Sequence, residues 1–168
     1  MTINAATGAK LYVGTSAIPV PGNFDPSDPS QLSAALASFE ADSYIQVGEI
    51  EDMGNFGDTS APINFTSLSD SRVRKKKGPR DAGTMTLVVG NDASDEGQVS
   101  LIAAEASNLD FNFKVILNDA TTLGGNGSQH YFFGQVMSKS LQVGNATNIV
   151  RRNFSIGINS AIASVDPT

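Results

Sequence analysis

Residues 150–158 alternate between two chemistries, with Phe154, Ile156 and Ile158 on one side of an extended backbone and Asn153, Ser155, Gly157 and then Asn159 on the other. A slip of one residue buries the polar side, so this segment reads as a strand separating a core from a polar surface. Residues 84–89 follow the same rule: Thr84 and Thr86 oppose Met85, Leu87 and Val89, while residues 111–117 place Phe111, Phe113, Val115 and Leu117 on one face. Shorter apolar runs predict further strands at 10–13, 44–50, 63–68, 131–137 and 140–143. Tryptophan is absent and 16 glycines, with Asn, Ser and Thr, punctuate these runs, as in strands joined by turns.

The predicted fold is therefore mainly β, a β-sandwich or partial barrel with one flanking α-helix. A length of 168 residues suits a single domain over 1–168. The helix is expected over 94–108, because Asn91, Asp92, Ser94, Asp95 and Glu96 supply capping oxygens and first-turn carboxylates. Val99, Ile102, Ala103 and Ala106 fall at one-stripe spacing, which predicts that they meet the sheet and that Gln98 and Glu105 face outward. Residues 15–30 hold four of the seven prolines and read as a surface excursion, followed by a short helix over 31–39. Residues 123–128 read as a flexible hairpin tip.

Charge is segregated along the chain. Arg72, Arg74, Lys75, Lys76, Lys77 and Arg80 gather six of the 11 basic residues into nine positions that contain no acid. The rest of the chain carries 5 basic against 17 acidic residues, a net of −12. Like charges at this density repel, so residues 72–80 read as a mobile loop until something negative meets them. The chain has no cysteine and one histidine, which excludes disulfides, thiolate metal sites, thiol nucleophiles and multi-histidine metal centres. Residues 1–10 lack the pattern of a secretory signal, and no apolar run approaches the roughly 20 residues that span a bilayer. The expectation is a protein made in a cytoplasm, with no membrane partner.

Candidate chemical sites are few. Asp92, Ser94, Glu96 and Gly97 match the first positions of a calcium-binding EF-hand loop, but Ala103 stands where a bidentate glutamate is required, so a helix N-terminus explains them better. Gly124, Gly125 and Gly127 resemble a phosphate cradle in composition only, because no capped helix follows. His130 lies near Ser128 without a nucleophile motif. Glu40, Asp42, Glu49, Glu51, Asp52 and Asp58 contain enough carboxylates for glycoside hydrolysis, but glycosidase sites usually also need aromatic sugar platforms, and tryptophan is absent. No catalytic, cofactor or metal site is expected. The acidic residues Glu49, Glu51, Asp52 and Asp58 instead suit a surface that meets the basic run of a neighbouring copy, since charge complementarity fixes register and screens repulsion.

Four segments in order, residues 44–58, 72–87, 95–105 and 148–156, together resemble the major tail tube protein of long-tailed (siphovirus) bacteriophages or of a phage-like tail or gene transfer particle. The resemblance covers roughly residues 40–160. It implies a tail tube fold in which residues 40–82 form a long strand-loop segment bearing a basic assembly loop. No C-terminal immunoglobulin-like domain is expected. It further implies no enzymatic activity and no cofactor, but a structural virion protein: six copies close into a ring-shaped oligomer, and stacked rings conduct DNA from capsid to host cell. The implied partners are copies of the chain, the tape measure, tail terminator and distal tail proteins, and phage DNA as transient cargo. The implied location is the virion tail, after synthesis in the bacterial host cytoplasm. The alternative is a soluble β-sandwich that binds a ligand or carbohydrate. Under the tail tube reading, the basic residues and the four acids named above are inter-subunit or inter-ring contacts, and the run orders only on assembly.

Overall fold

A computed structural model describes residues 6–15 and 24–168. The expected excursion over 15–30 falls partly outside the described residues. The described elements are β1 (Lys10–Gly14), α1 (Pro29–Glu40), β2 (Tyr44–Val47), β3 (Ile50–Asp52), β4 (Thr59–Thr66), β5 (Val73–Asp81), β6 (Thr84–Gly90), α2 (Glu96–Glu105), β7 (Phe111–Ile116), β8 (Gln129–Gln142), β9 (Arg151–Ile158) and β10 (Ala163–Val165). The chain is mainly β, as expected.

One antiparallel sheet runs in the order β2-β1-β7-β8-β9-β6-β3, with β10 pairing the start of β8. Its two terminal strands are consecutive in sequence: only Gly48 and Glu49 separate β2 from β3. So short a link spans roughly 10 Å, so the sheet curls until its ends meet. The partial barrel is thus the architecture adopted, and its wall is continuous within one subunit apart from this bend. The expected strand over 44–50 divides because Glu49 takes a left-handed conformation, φ 53°, which no extended strand accommodates. The Glu49 carbonyl accepts from Gly90 N–H at 2.8 Å, holding the bend against β6. The two strands expected over 131–137 and 140–143 are one, β8, interrupted by a bulge between Val136 and Ser138.

Alternation decides which side chains fill the barrel. Leu11, Met85, Leu87, Phe113, Phe132, Phe154 and Ile156 are fully buried in one cluster, drawn from five strands. Tyr131, the neighbour of Phe132, points to the opposite face and joins Phe24, Ala35, Phe39 and Ala163 in a second cluster beneath α1. Phe39 stacks on Tyr131 with centroids 5.7 Å apart. Helix α1 extends the short helix expected over 31–39; the Asp28 carboxylate caps it by accepting from Ser30 N–H at 2.9 Å, and Pro29 occupies the first turn.

Helix α2 lies where expected but is turned about its axis. Its inward residues are Gly97, Gln98, Leu101 and Ala104, whereas Val99, Ala103 and Ala106 are exposed and Ile102 is half-buried. Hydrogen bonding overrides the hydrophobic stripe. The buried Gln98 amide donates to the Gly90 carbonyl at 2.8 Å and its oxygen accepts from Asp92 N–H at 3.2 Å. Asp95 accepts from Gln98 N–H at 2.7 Å and, through its other oxygen, from Gly48 N–H at 3.1 Å, so the helix cap also fixes the barrel bend. Gly97 allows the close approach, since a Cβ there would sit 2.3 Å from the Gln46 carbonyl oxygen. Helix propensity alone favours Gly97→Ala by about 1 kcal/mol. Overpacking against the β2 backbone outweighs it, and a net loss on the order of 1–2 kcal/mol is expected in urea unfolding. A gain in stability would show that α2 can shift away from β2 without loss.

Candidate assembly surface

The basic run is not a loop. Residues 73–81 form β5, which pairs with β4 in a separate two-stranded sheet, in the register Phe65↔Arg74, Asn64↔Lys75, Ile63↔Lys76 and Pro62↔Lys77. The expected mobile loop over 72–80 is corrected accordingly; the strand expected over 63–68 is present as β4, which begins four residues earlier, at Thr59, and ends at Thr66. Backbone pairing with β4 supplies the order that the basic run lacks alone. Its cations also separate by parity onto the two faces of the ribbon, so neighbouring charges diverge. Pro62 and Pro79 are tolerated because each strand keeps an unpaired outer edge, and the register shift between Ser60 and Pro62 absorbs the irregularity.

Opposed residues share a face, so Ile63, Phe65, Arg74 and Lys76 lie on one side of the ribbon and Pro62, Asn64, Lys75 and Lys77 on the other. Among the described residues, no other strand or helix makes an extended contact with this ribbon. Ile63 is 57% exposed and Phe65 63%, and Leu68 at the tip is fully exposed. Among the described residues, one of the six basic groups forms an ion pair: Arg74, with Asp70 at 2.5 Å. Sequence reasoning did not single out Asp70, whose only signal was its position four residues before Arg74.

The acidic candidates are dispersed. Glu51 bonds Arg151 of β9 within the subunit, and that hydrogen bond holds its carboxyl below the usual range. Asp52 accepts from Gly54 N–H at 2.8 Å, capping a turn, and Glu49 sits at the bend between β2 and β3. Among the described residues no ion pair joins Glu49, Glu51 or Asp52 to β5 within a subunit. Asp58 and Arg80 do converge: with Asp25, Asp81, Gln31 and Asn159 they line a cavity of about 730 Å³ at the root of the ribbon. Asp25 there is held below its usual pKa, first by the Ser27 hydroxyl.

The remaining candidates have ordinary partners. The His130 ring bonds Ser164 at 2.9 Å and packs edge-on against Phe56, and burial lowers its pKa. The Ser128 hydroxyl donates to Asp119 at 2.6 Å, so Ser128 and His130 form no relay. Residues 124–127 precede strand β8 directly, with no helix to aim N–H groups at an anion. Among the described residues no group of three or more His, Asp or Glu is placed to hold a metal, and no helix is long and apolar enough to cross a membrane.

No family profile and no curated protein matches the sequence. Solved structures do match. A chain of the six-fold symmetrised baseplate of the anti-feeding prophage superposes with a TM-score of 0.63 at 10% identity, over 99% of this chain and 98% of the other. A chain of the sheath/tube terminator of an extracellular contractile injection system gives 0.61 at 11% identity, over 98% of both chains. The SPP1 tail tube gives 0.55 at 9% identity, over 94% of this chain and 76% of the other. The chain therefore shares the fold of these phage-like tail and injection-system structures.

Proposed function

We propose that this chain is a structural subunit of a phage-like tail tube, closing as six copies into rings that stack into a passage for DNA. The β4–β5 ribbon carries this reading. A two-stranded hairpin is marginal by itself in water, and one that exposes Ile63 and Phe65 gains stability by being covered. Its length, eight residues in β4, corresponds to roughly 26 Å of extended chain. That is long enough to reach a neighbouring subunit. The structural relatives come from baseplate, terminator and tube assemblies, which agrees with such a role.

DNA passage demands weak contact, because each neutralised phosphate adds affinity through counterion release. The non-core face of β6 and β9 suits a passage wall: it pairs Thr86 with Ser155 and Val88 with Asn153, and its one cation, Arg151 opposite Gly90, is neutralised by Glu51. The test is electron microscopy of the concentrated protein. Hollow tubes of uniform diameter are expected, and isolated particles across a range of salt and protein concentrations sink the reading.

A further inference from the structure

Helix α2 carries an outer face that the other described residues leave open. Val99 is 50% exposed, Ala103 and Ala106 are exposed beside it, and the helix contains no basic residue. Glu96 opens the helix, and Asp92 lies exposed in the preceding turn. The face is thus apolar along its length and acidic at its N-terminal end.

The ribbon presents the opposite combination. Ile63 and Phe65 form an exposed apolar pair, and the residues directly across from them are Lys76 and Arg74. Arg74 is engaged by Asp70, while Lys76 has no ion pair among the described residues. The ribbon makes no extended contact with α2 of its own subunit. Two uncovered surfaces on one chain therefore match in apolar character and are opposite in charge, yet do not meet within that chain.

We propose that the outer face of α2 receives the Ile63 and Phe65 side of the ribbon from a neighbouring copy, with Lys76 directed toward Glu96 and Asp92. The proposal rests on the tube reading above and assigns the receiving surface within it. It moves the acceptor away from Glu51, which Arg151 already occupies, to the helix. Covering apolar area supplies affinity, and the charges at one end set the direction in which the ribbon lies. DNA accounts for the cations but leaves a paired Ile63 and Phe65 on the same face unexplained.

The absence of cysteine makes a short-range test available. Phe65→Cys chains and Val99→Cys chains are mixed, assembled and mildly oxidised. A disulfide requires Cα atoms within about 7 Å, so a covalent dimer containing one chain of each variant is expected in tubes and not in either variant alone. Tubes that contain both variants without the mixed disulfide overturn the inference and leave the tube reading standing. Failure of the unmodified chain to form tubes under any condition defeats the reading and this inference together.

Charge exchange supplies an independent readout on chains that keep all their apolar contacts. Lys76→Glu is expected to raise the protein concentration needed for tubes roughly tenfold, the effect of about 1.4 kcal/mol, and Glu96→Lys in the same chain is expected to reverse it. Lack of reversal overturns the pairing. Retention of double-stranded DNA that Lys76→Glu abolishes, without any mixed disulfide, overturns it in favour of a nucleic-acid arm.

Discussion

A chain in which residues 61–79 are replaced by Asn-Gly, joining Ser60 to Arg80, is expected to fold normally and to form no tubes. Ser60 and Arg80 are direct cross-strand partners, so a two-residue turn closes the gap without strain. Both strands must go together. Removing residues 72–80 alone leaves β4 with no partner, its backbone unpaired and Ile63 and Phe65 still exposed, which favours aggregation over a clean monomer. The ribbon makes no extended contact with either core cluster, so its loss should change folding stability by less than about 1 kcal/mol, or a thermal midpoint shift of about 2–4 °C for a domain of this size. Assembly should be lost outright, because the excision removes the exposed Ile63 and Phe65 together with the strand pair that carries them. Thermal unfolding and electron microscopy on one sample measure both. Tubes from the shortened chain refute an assembly role for the ribbon; a large fall in midpoint shows instead that the ribbon supports the barrel.

The parts of the fold that were legible in the sequence are those with one wet and one dry face. In β6 and β9 the burial of Met85, Leu87, Phe154 and Ile156 follows the alternation residue by residue. Strand β5 escaped because both faces of the ribbon are exposed, so selection for burial leaves no period of two in residues 73–81. Composition then dominated, and six cations read as disorder. The rotation of α2 was hidden for a different reason. Its inward face uses Gly97 and Gln98, residues that carry no hydrophobic signal, while alanines on both faces blur the stripe.

The barrel's closure depends on the left-handed backbone of Glu49, a conformation that its residue type does not announce. The candidate surface was legible as charge but not as geometry. Arg151 and Glu51 stand 100 positions apart, and only the pairing of β6 with β3 and β9 brings them together.

Phe132→Ala is expected to have the largest effect on stability. The ring is fully buried in the barrel, stacked on Phe113 at 5.5 Å and inclined to Phe56 at 5.9 Å. Truncating a buried Phe costs about 3–5 kcal/mol through lost transfer energy and the remaining cavity, and ring pairing is worth about 0.5–1.5 kcal/mol within that change. A domain of this kind has only about 5–15 kcal/mol in total. With a urea m-value of about 1–3 kcal/mol/M, the midpoint should fall by about 2 M or the variant should fail to fold at all. Phe65→Ala removes the same atoms from an exposed face and should move the midpoint by less than about 0.5 kcal/mol equivalent, while weakening assembly. The two phenylalanines therefore separate what holds the subunit together from what joins subunits. A Phe132→Ala cost below about 1 kcal/mol contradicts a close-packed barrel interior, and a Phe65→Ala cost comparable to that of Phe132→Ala places the ribbon in the folding core rather than at an interface.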